Sequence, residues 1–376
     1  MKRIFMMLSL SAIVACSGQD VAPADGSQTG FALSFFRNVN YVSDPDENIV
    51  VSPYSAAVVL EMLGAGAEGE TKVELDNVLN GATFAKEELE GGENVVLESS
   101  NAVWISDNFS VRNRYVSRLE NDFGAFIDTQ DFSSPSVVNI INGWCAEKTS
   151  GKINEIIDRV SPDMVMLMVN ALYFNASWAD SFNPDATRQA VFHGRSGDSA
   201  VPMMYRKATY NYAEYQGAKM VEVPYEGGKY AMYIVLPPAG VSPDALLPYV
   251  GENQYKTAMS LLGPVEVSLN MPKFKNETSV VLNKTLERMG VKTAFTSAAD
   301  FSGISLSGPL RVDMVKQKCY IDVSEKGTEA AAVTSAQVRM TSVRPVKTMS
   351  IDRPFIFVIA DIDSKDILFA GKIVNL

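Results

Sequence analysis

Chemistry-bearing residues are scarce in this sequence. It has one histidine, His193, and three cysteines, Cys16, Cys145 and Cys319. A Ser-His-Asp or Cys-His site would have to be built on His193, and Val191-Phe192-His193-Gly194 has no acidic cluster beside it. No serine sits in Gly-x-Ser-x-Gly, no His/Cys run has metal-ligand spacing, and no glycine-rich phosphate loop is present. No metal and no cofactor is therefore expected. Acidic residues are plentiful, so a catalytic carboxylate pair is always available on paper, but solvated surface charge is their ordinary role. Two cysteines beyond Cys16 make no disulfide framework. Cys145 and Cys319 sit in apolar patterns and read as small buried side chains, a bridge between them being the lesser alternative. Positive charge is also short: Lys+Arg 33 against Asp+Glu 44 gives a net charge of −11, which argues against a nucleic-acid partner.

Long apolar runs are missing except at the start. Met1-Lys2-Arg3 is basic, and residues 4–14 form an apolar core too short to span a bilayer. It stops at Ile13-Val14-Ala15-Cys16, which is similar to a lipobox, where the cysteine is acylated and becomes the first mature residue. An ordinary signal peptide with a chance cysteine is the alternative. Residues 1–15 are thus expected to be a lipoprotein signal peptide. Residues 16–29, small, polar and Pro/Gly-rich, are expected to be a lipidated flexible tether. A diacyl or triacyl anchor on Cys16 would hold a membrane stably.

The remaining chain is long enough for a large buried core. Apolar spacing predicts helices over 30–39, 52–63 (Ser52 as N-cap, Pro53 at the first helical position), 70–79, within 137–157 (ending near Ser150-Gly151) and over 280–289. Strand patterns cover 164–173, 230–236, 265–273, 312–323, 354–362 and 367–374. Helices dominate the first third and strands the rest, without alternation, so the fold class is α+β.

One stretch stands apart: Glu325-Lys326-Gly327-Thr328-Glu329-Ala330-Ala331-Ala332-Val333-Thr334. Read as a strand, Thr328, Ala330, Ala332, Thr334 and Ala336 share one face, all small. Such a strand could enter the middle of an existing sheet without clashing. Read alone, an Ala-rich helix is the equal alternative.

This pattern resembles the reactive-loop hinge of the serpins, the serine protease inhibitors, and further motifs support the resemblance. Asn48-Ile49-Val50-Val51-Ser52-Pro53-Tyr54-Ser55 is similar to the family's N-terminal signature, followed by Gly64-Ala65-Gly66-Ala67-Glu68-Gly69-Glu70-Thr71. Ile141-Asn142-Gly143-Trp144 with Lys148-Thr149-Ser150-Gly151-Lys152-Ile153 resembles the helix lying across the main sheet. Val169-Asn170-Ala171-Leu172-Tyr173-Phe174 with Trp178 resembles the strand lining its opening. Asp352-Arg353-Pro354-Phe355-Ile356-Phe357 and Leu368-Phe369-Ala370-Gly371-Lys372 resemble the C-terminal signature.

The resemblance covers residues 30–376. It implies three β-sheets, about eight to nine helices and an exposed reactive loop at about 325–346. It implies no enzyme but a monomeric suicide inhibitor that traps serine proteases, with cysteine proteases as a second class, as covalent complexes. Glu325, Gly327, Thr328, Glu329, Ala330, Ala331, Ala332 and Thr334 are then the hinge. Ser52, Ser55, Asn170, Trp178, Lys273 and Gln317 are the region where the sheet opens, with Lys273 and Glu325 as an ion pair. The family often has a histidine where Gln317 stands, so pH sensing there is in doubt. In the family the attacked bond lies about seventeen residues beyond the hinge glutamate, a length set by the reach of the inserted strand. That gives Thr341–Ser342, with Met340–Thr341 the nearest rival and Arg339–Met340 two residues short. Elastase-like or subtilisin-like targets are expected, and the anchor implies the bacterial cell envelope. The alternatives are a non-inhibitory serpin-fold binding module there, and an unrelated lipid-anchored hydrolase built on His193.

Overall fold

The computed structural model describes residues 26–84, 95–249, 251–328 and 346–376. The chain runs α1 (Gln28–Val42), β1 (Ile49–Val51), α2 (Pro53–Gly64), α3 (Gly69–Leu79), β2 (Val95–Ser106), α4 (Asn113–Phe123), β3 (Phe126–Gln130), α5 (Val137–Lys148) and β4 (Met166–Ser177). There follow β5 (Arg188–Gly194), β6 (Gly197–Tyr215), β7 (Ala218–Pro224), β8 (Tyr230–Leu236), α6 (Glu252–Ser260), β9 (Gly263–Pro272) and β10 (Phe274–Val281). The chain closes with α7 (Asn283–Met289), β11 (Met314–Ser324), β12 (Gly327–Thr328), β13 (Lys347–Ser350), β14 (Phe355–Asp361) and β15 (Ile367–Ile373).

The fold is α+β. Among the described residues the strands form two hydrogen-bonded sheets. One has the order β1-β15-β14-β8-β7-β6-β9-β13 with β5 on β6, and the other β10-β11-β12-β4-β2-β3. Three sheets were expected; two of them join because the 19-residue β6 pairs with β9 over Met203–Tyr212 and with β7 over Tyr212–Tyr215. Among the described residues seven α-helices stand against the expected eight or nine, and four further helical turns are single 3-10 turns.

Local chemistry accounts for the boundaries. Ser52 caps α2, its Oγ accepting the Ser55 N–H, with Pro53 at the first position. The remaining α2 residues are apolar nearly all round, and the helix is buried on nearly every side. Val280 and Val281, expected in a helix, instead end β10 opposite Gln317 and Lys316, as suits β-branched residues. The helix expected to end near 150–151 stops at Lys148, and Ser150 and Gly151 turn the chain at positive φ. The sequence reading did not anticipate strand β2 or helices α4 and α6, although the apolar residues of α4 recur at helical spacing.

The main core lies between the two sheets, where Phe174 and Phe369 meet with ring centroids 5.6 Å apart. A smaller cluster packs Ile141 and Trp144 of α5 onto Leu167, Val169 and Ala171 of β4. Alternate residues of β4 therefore face opposite cores. Cys319 belongs to the first core and Cys145 to the second, on opposite faces of the sheet, so they form no bridge.

Candidate functional site

The two central strands of the six-stranded sheet part at one end. From Met314–Leu167 to Tyr320–Tyr173, β11 and β4 pair directly and in parallel. Beyond that point β12 lies between them, Thr328 opposite Val323 on one side and Ala176 on the other. The first direct rung, Tyr320 to Tyr173, lies three residues further along each strand, so β12 stands in the row a continuing strand would occupy.

The entry of β12 depends on residues without bulk. Gly327 has φ of +152°, and a Cβ there would lie 2.1 Å from the Ala176 carbonyl oxygen, so glycine alone fits. Thr328 is fully buried, and its hydroxyl lies 2.8 Å from the Tyr225 hydroxyl. Tyr225 stacks on Trp178 with centroids 4.6 Å apart. The Trp178 indole donates to the Ser324 carbonyl at 2.9 Å, and its backbone N–H to the Lys326 carbonyl at 2.9 Å. The turn before β12 is thereby held against the end of β4. Lys273 and Glu325 meet at 2.7 Å, and the Thr187 hydroxyl donates to the other carboxylate oxygen at 2.9 Å. Burial alone would raise the Glu325 carboxyl; the Lys273 ammonium, the residue's own backbone and Thr187 outweigh it and hold the carboxyl below its usual range.

Behind the directly paired part lies a buried polar group. Gln317 Nε2 donates to the Ser52 carbonyl and to Asn170 Oδ1, both at 3.0 Å, and its Oε1 accepts the Ser52 N–H at 3.0 Å. Asn170 Nδ2 donates to Asn101 Oδ1 at 2.8 Å. The Ser52 hydroxyl donates to the Leu368 carbonyl at 2.7 Å and accepts the Ser55 N–H; the Ser55 hydroxyl lies 3.0 Å from that of Ser99. The group joins both sides of the seam to α2 and to the other sheet. Its amides and hydroxyls can exchange partners, so the strands can part without leaving a buried donor bare.

The structure thus brings Ser52, Ser55, Asn170 and Gln317 together, and places Trp178, Lys273, Glu325, Gly327 and Thr328 around the seam's open end. Glu329, Ala330, Ala331, Ala332, Thr334, Met340, Thr341 and Ser342 lie outside the described residues, as does Cys16. The sequence reading missed Asn101, Thr187 and Tyr225. Asn101 carried a signal: it is a polar residue at an inward position of β2, between Ser99 and Val103. Tyr225 and Thr187 carried none. His193 is exposed on β5, its Nδ1 2.9 Å from Asp198.

The sequence matches the family model described as serpin (serine protease inhibitor) over residues 26–376. It is 33% identical to an uncharacterized serpin-like protein of Methanosarcina mazei, covering 95% of this chain and 87% of that protein. It is 31% identical to the leukocyte elastase inhibitor of Sus scrofa, covering 92% and 98%. Among solved structures it is similar to Tengpin, a thermophilic serpin in the native state, with a TM-score of 0.85, 28% identity and 93% of each chain covered.

Proposed function

The chain belongs to the serpin (serine protease inhibitor) family, and from that premise we propose that it is no enzyme but an irreversible suicide inhibitor of serine endopeptidases, held at the bacterial cell envelope by a lipid on Cys16. The observation that carries this reading is the seating of β12 in the seam, in register with the direct rungs beyond it. Extending that register residue by residue brings Ala330 opposite Phe174, Ala332 opposite Leu172 and Thr334 opposite Asn170 in an inserted form. All three are on the inward face, and none is bulky. Strands β4 and β11 need only move apart by one strand spacing, about 4.8 Å, with no slip along their length. Each inserted residue then bonds on two sides, and roughly ten new rungs at about 1 kcal/mol each make insertion strongly downhill.

A protease that attacks the loop forms an acyl-enzyme. Insertion of the cleaved loop drags it across the sheet before water can release it. The bond attacked is Thr341–Ser342, with Met340–Thr341 the rival, and the targets are elastase-like or subtilisin-like. The Sus scrofa relative, named as an elastase inhibitor, supports that choice. The test is an SDS gel with a protease panel. Wild type should form an SDS-resistant complex. Thr328→Arg, which must bury a guanidinium at several kcal/mol, should be cleaved without trapping. A wild type that is cleaved but never trapped would point to the non-inhibitory binding module. Mass spectrometry of the complex that finds the new C-terminus outside Arg339 to Val343 would sink the register. Loss of acyl labelling in Cys16→Ser checks the anchor.

A further inference from the structure

The end of the seam opposite β12 is closed by a side chain. One residue before the Met314–Leu167 rung, the Asp313 N–H donates to the Met166 carbonyl at 3.0 Å. The Asp313 carboxylate then carries the pairing past the backbone. Its Oδ2 accepts the backbone N–H groups of Val165 and Met166, the second at 3.3 Å, and its Oδ1 accepts the Arg311 Nε–H at 3.0 Å. The opposite edge of the same segment is fixed to the start of α7. Asn283 Nδ2 donates to the Asp313 carbonyl at 3.0 Å, its Oδ1 accepts the Val315 N–H at 2.9 Å, and the Leu282 N–H donates to the Val315 carbonyl at 2.8 Å. Asp313 therefore reaches β4 from an anchored base. Its side chain is 15% exposed, so water competes little, and bonds to a carboxylate are stronger than neutral ones.

Place gives these bonds a consequence. The row of Asp313 and Met166 lies ten residues beyond that of Thr328 along both strands. A strand continuing β12 in register reaches it with Val338, three residues short of Thr341. Parting β4 from β11 there by about 4.8 Å breaks the backbone bond and both bonds from β4 to the carboxylate. Along the directly paired rungs an entering strand exchanges backbone bonds for like ones. At Asp313 it exchanges carboxylate bonds for neutral ones. We propose that Asp313 is a positioning residue, a clasp on the far end of the seam that holds the sheet closed and sets how readily a strand fills its last rows. This deepens the reading of the chain as an inserting inhibitor and rests on it. The clasp acts on the native form alone, because full insertion breaks it.

The test compares Asp313→Ala with wild type, as the full mature chain, before and after the reactive loop is cut. In urea unfolding Asp313→Ala should weaken the native form and leave the cut form as stable as cut wild type. A fluorescein-labelled peptide of residues 329–338 should enter native Asp313→Ala about tenfold faster than native wild type. Asp313→Asn, which keeps an acceptor for the two N–H groups without the charge, should fall between them, and it carries the same comparison where Asp313→Ala does not fold. An equal loss of stability in the native and cut forms marks a merely structural role and overturns the proposal. So does an unchanged rate of peptide entry. A cut wild type no more stable than the native one overturns insertion itself, and the clasp with it.

Discussion

Replacing Gln317 by Met removes the hub of the buried polar group while nearly keeping its shape. Gln317, Ser52 and Asn170 are each about 1% exposed, so water cannot take over the lost bonds. Three hydrogen bonds disappear, all of 3.0 Å. They do not count equally. The Ser52 carbonyl also accepts the Ala56 N–H at 3.1 Å and keeps that partner. The Ser52 N–H and Asn170 Oδ1 each lose the Gln317 bond that the wild type provides. At about 1–3 kcal/mol for each buried orphan, and with a little regained from burying a thioether in place of an amide, the variant should lose about 3 kcal/mol. Urea unfolding followed by tryptophan fluorescence reads this directly. Trp104 lies on β2, Trp144 on α5 over the same sheet, and Trp178 just past the end of β4. Gln317→His, which keeps one donor and one acceptor, should lose less. A Gln317→Met cost below about 1 kcal/mol, or one unchanged in an Asn170→Ala background, would refute the reasoning, because neither fits a hub that Asn170 depends on.

Two further outcomes follow from the same site. Gly327→Ala places a Cβ 2.1 Å from the Ala176 oxygen, so β12 should leave the seam and the ratio of cleaved to trapped inhibitor should rise; a ratio equal to wild type contradicts the close approach. The Glu325 carboxyl is depressed in the folded state. Its contribution is fully present above the ordinary carboxylate range and is lost as pH falls through the folded value. The advantage of wild type over Glu325→Gln, no more than about 1 kcal/mol for this partly exposed pair, should shrink toward zero between about pH 5 and pH 3. A difference that persists unchanged at pH 3 in urea titrations counts against the Lys273 pairing.

Much was determined by the sequence alone, for a physical reason. Period and composition act locally, so the α2 start at Ser52-Pro53, strand β8 at 230–236, the α+β class and the small inward face of the hinge were legible as patterns. The family motifs then put Ser52, Asn170, Gln317, Lys273 and Glu325 in one region. Tertiary structure decided what local pattern cannot carry. Val280 and Val281 have helical spacing, yet β-branched residues gain more beside β11 than in the turn before α7. Strand β6 merges two expected sheets because its length is visible only through its partners. Asn101 and Tyr225 became part of the site only when β2 and the residues after β7 arrived beside it. Read alone, the hinge was open between helix and strand, and the family motifs favoured the strand. For Gly327 and Thr328 the structure supplies the reason, since a two-residue strand has no periodicity of its own and only the gap between β11 and β4 gives it that conformation.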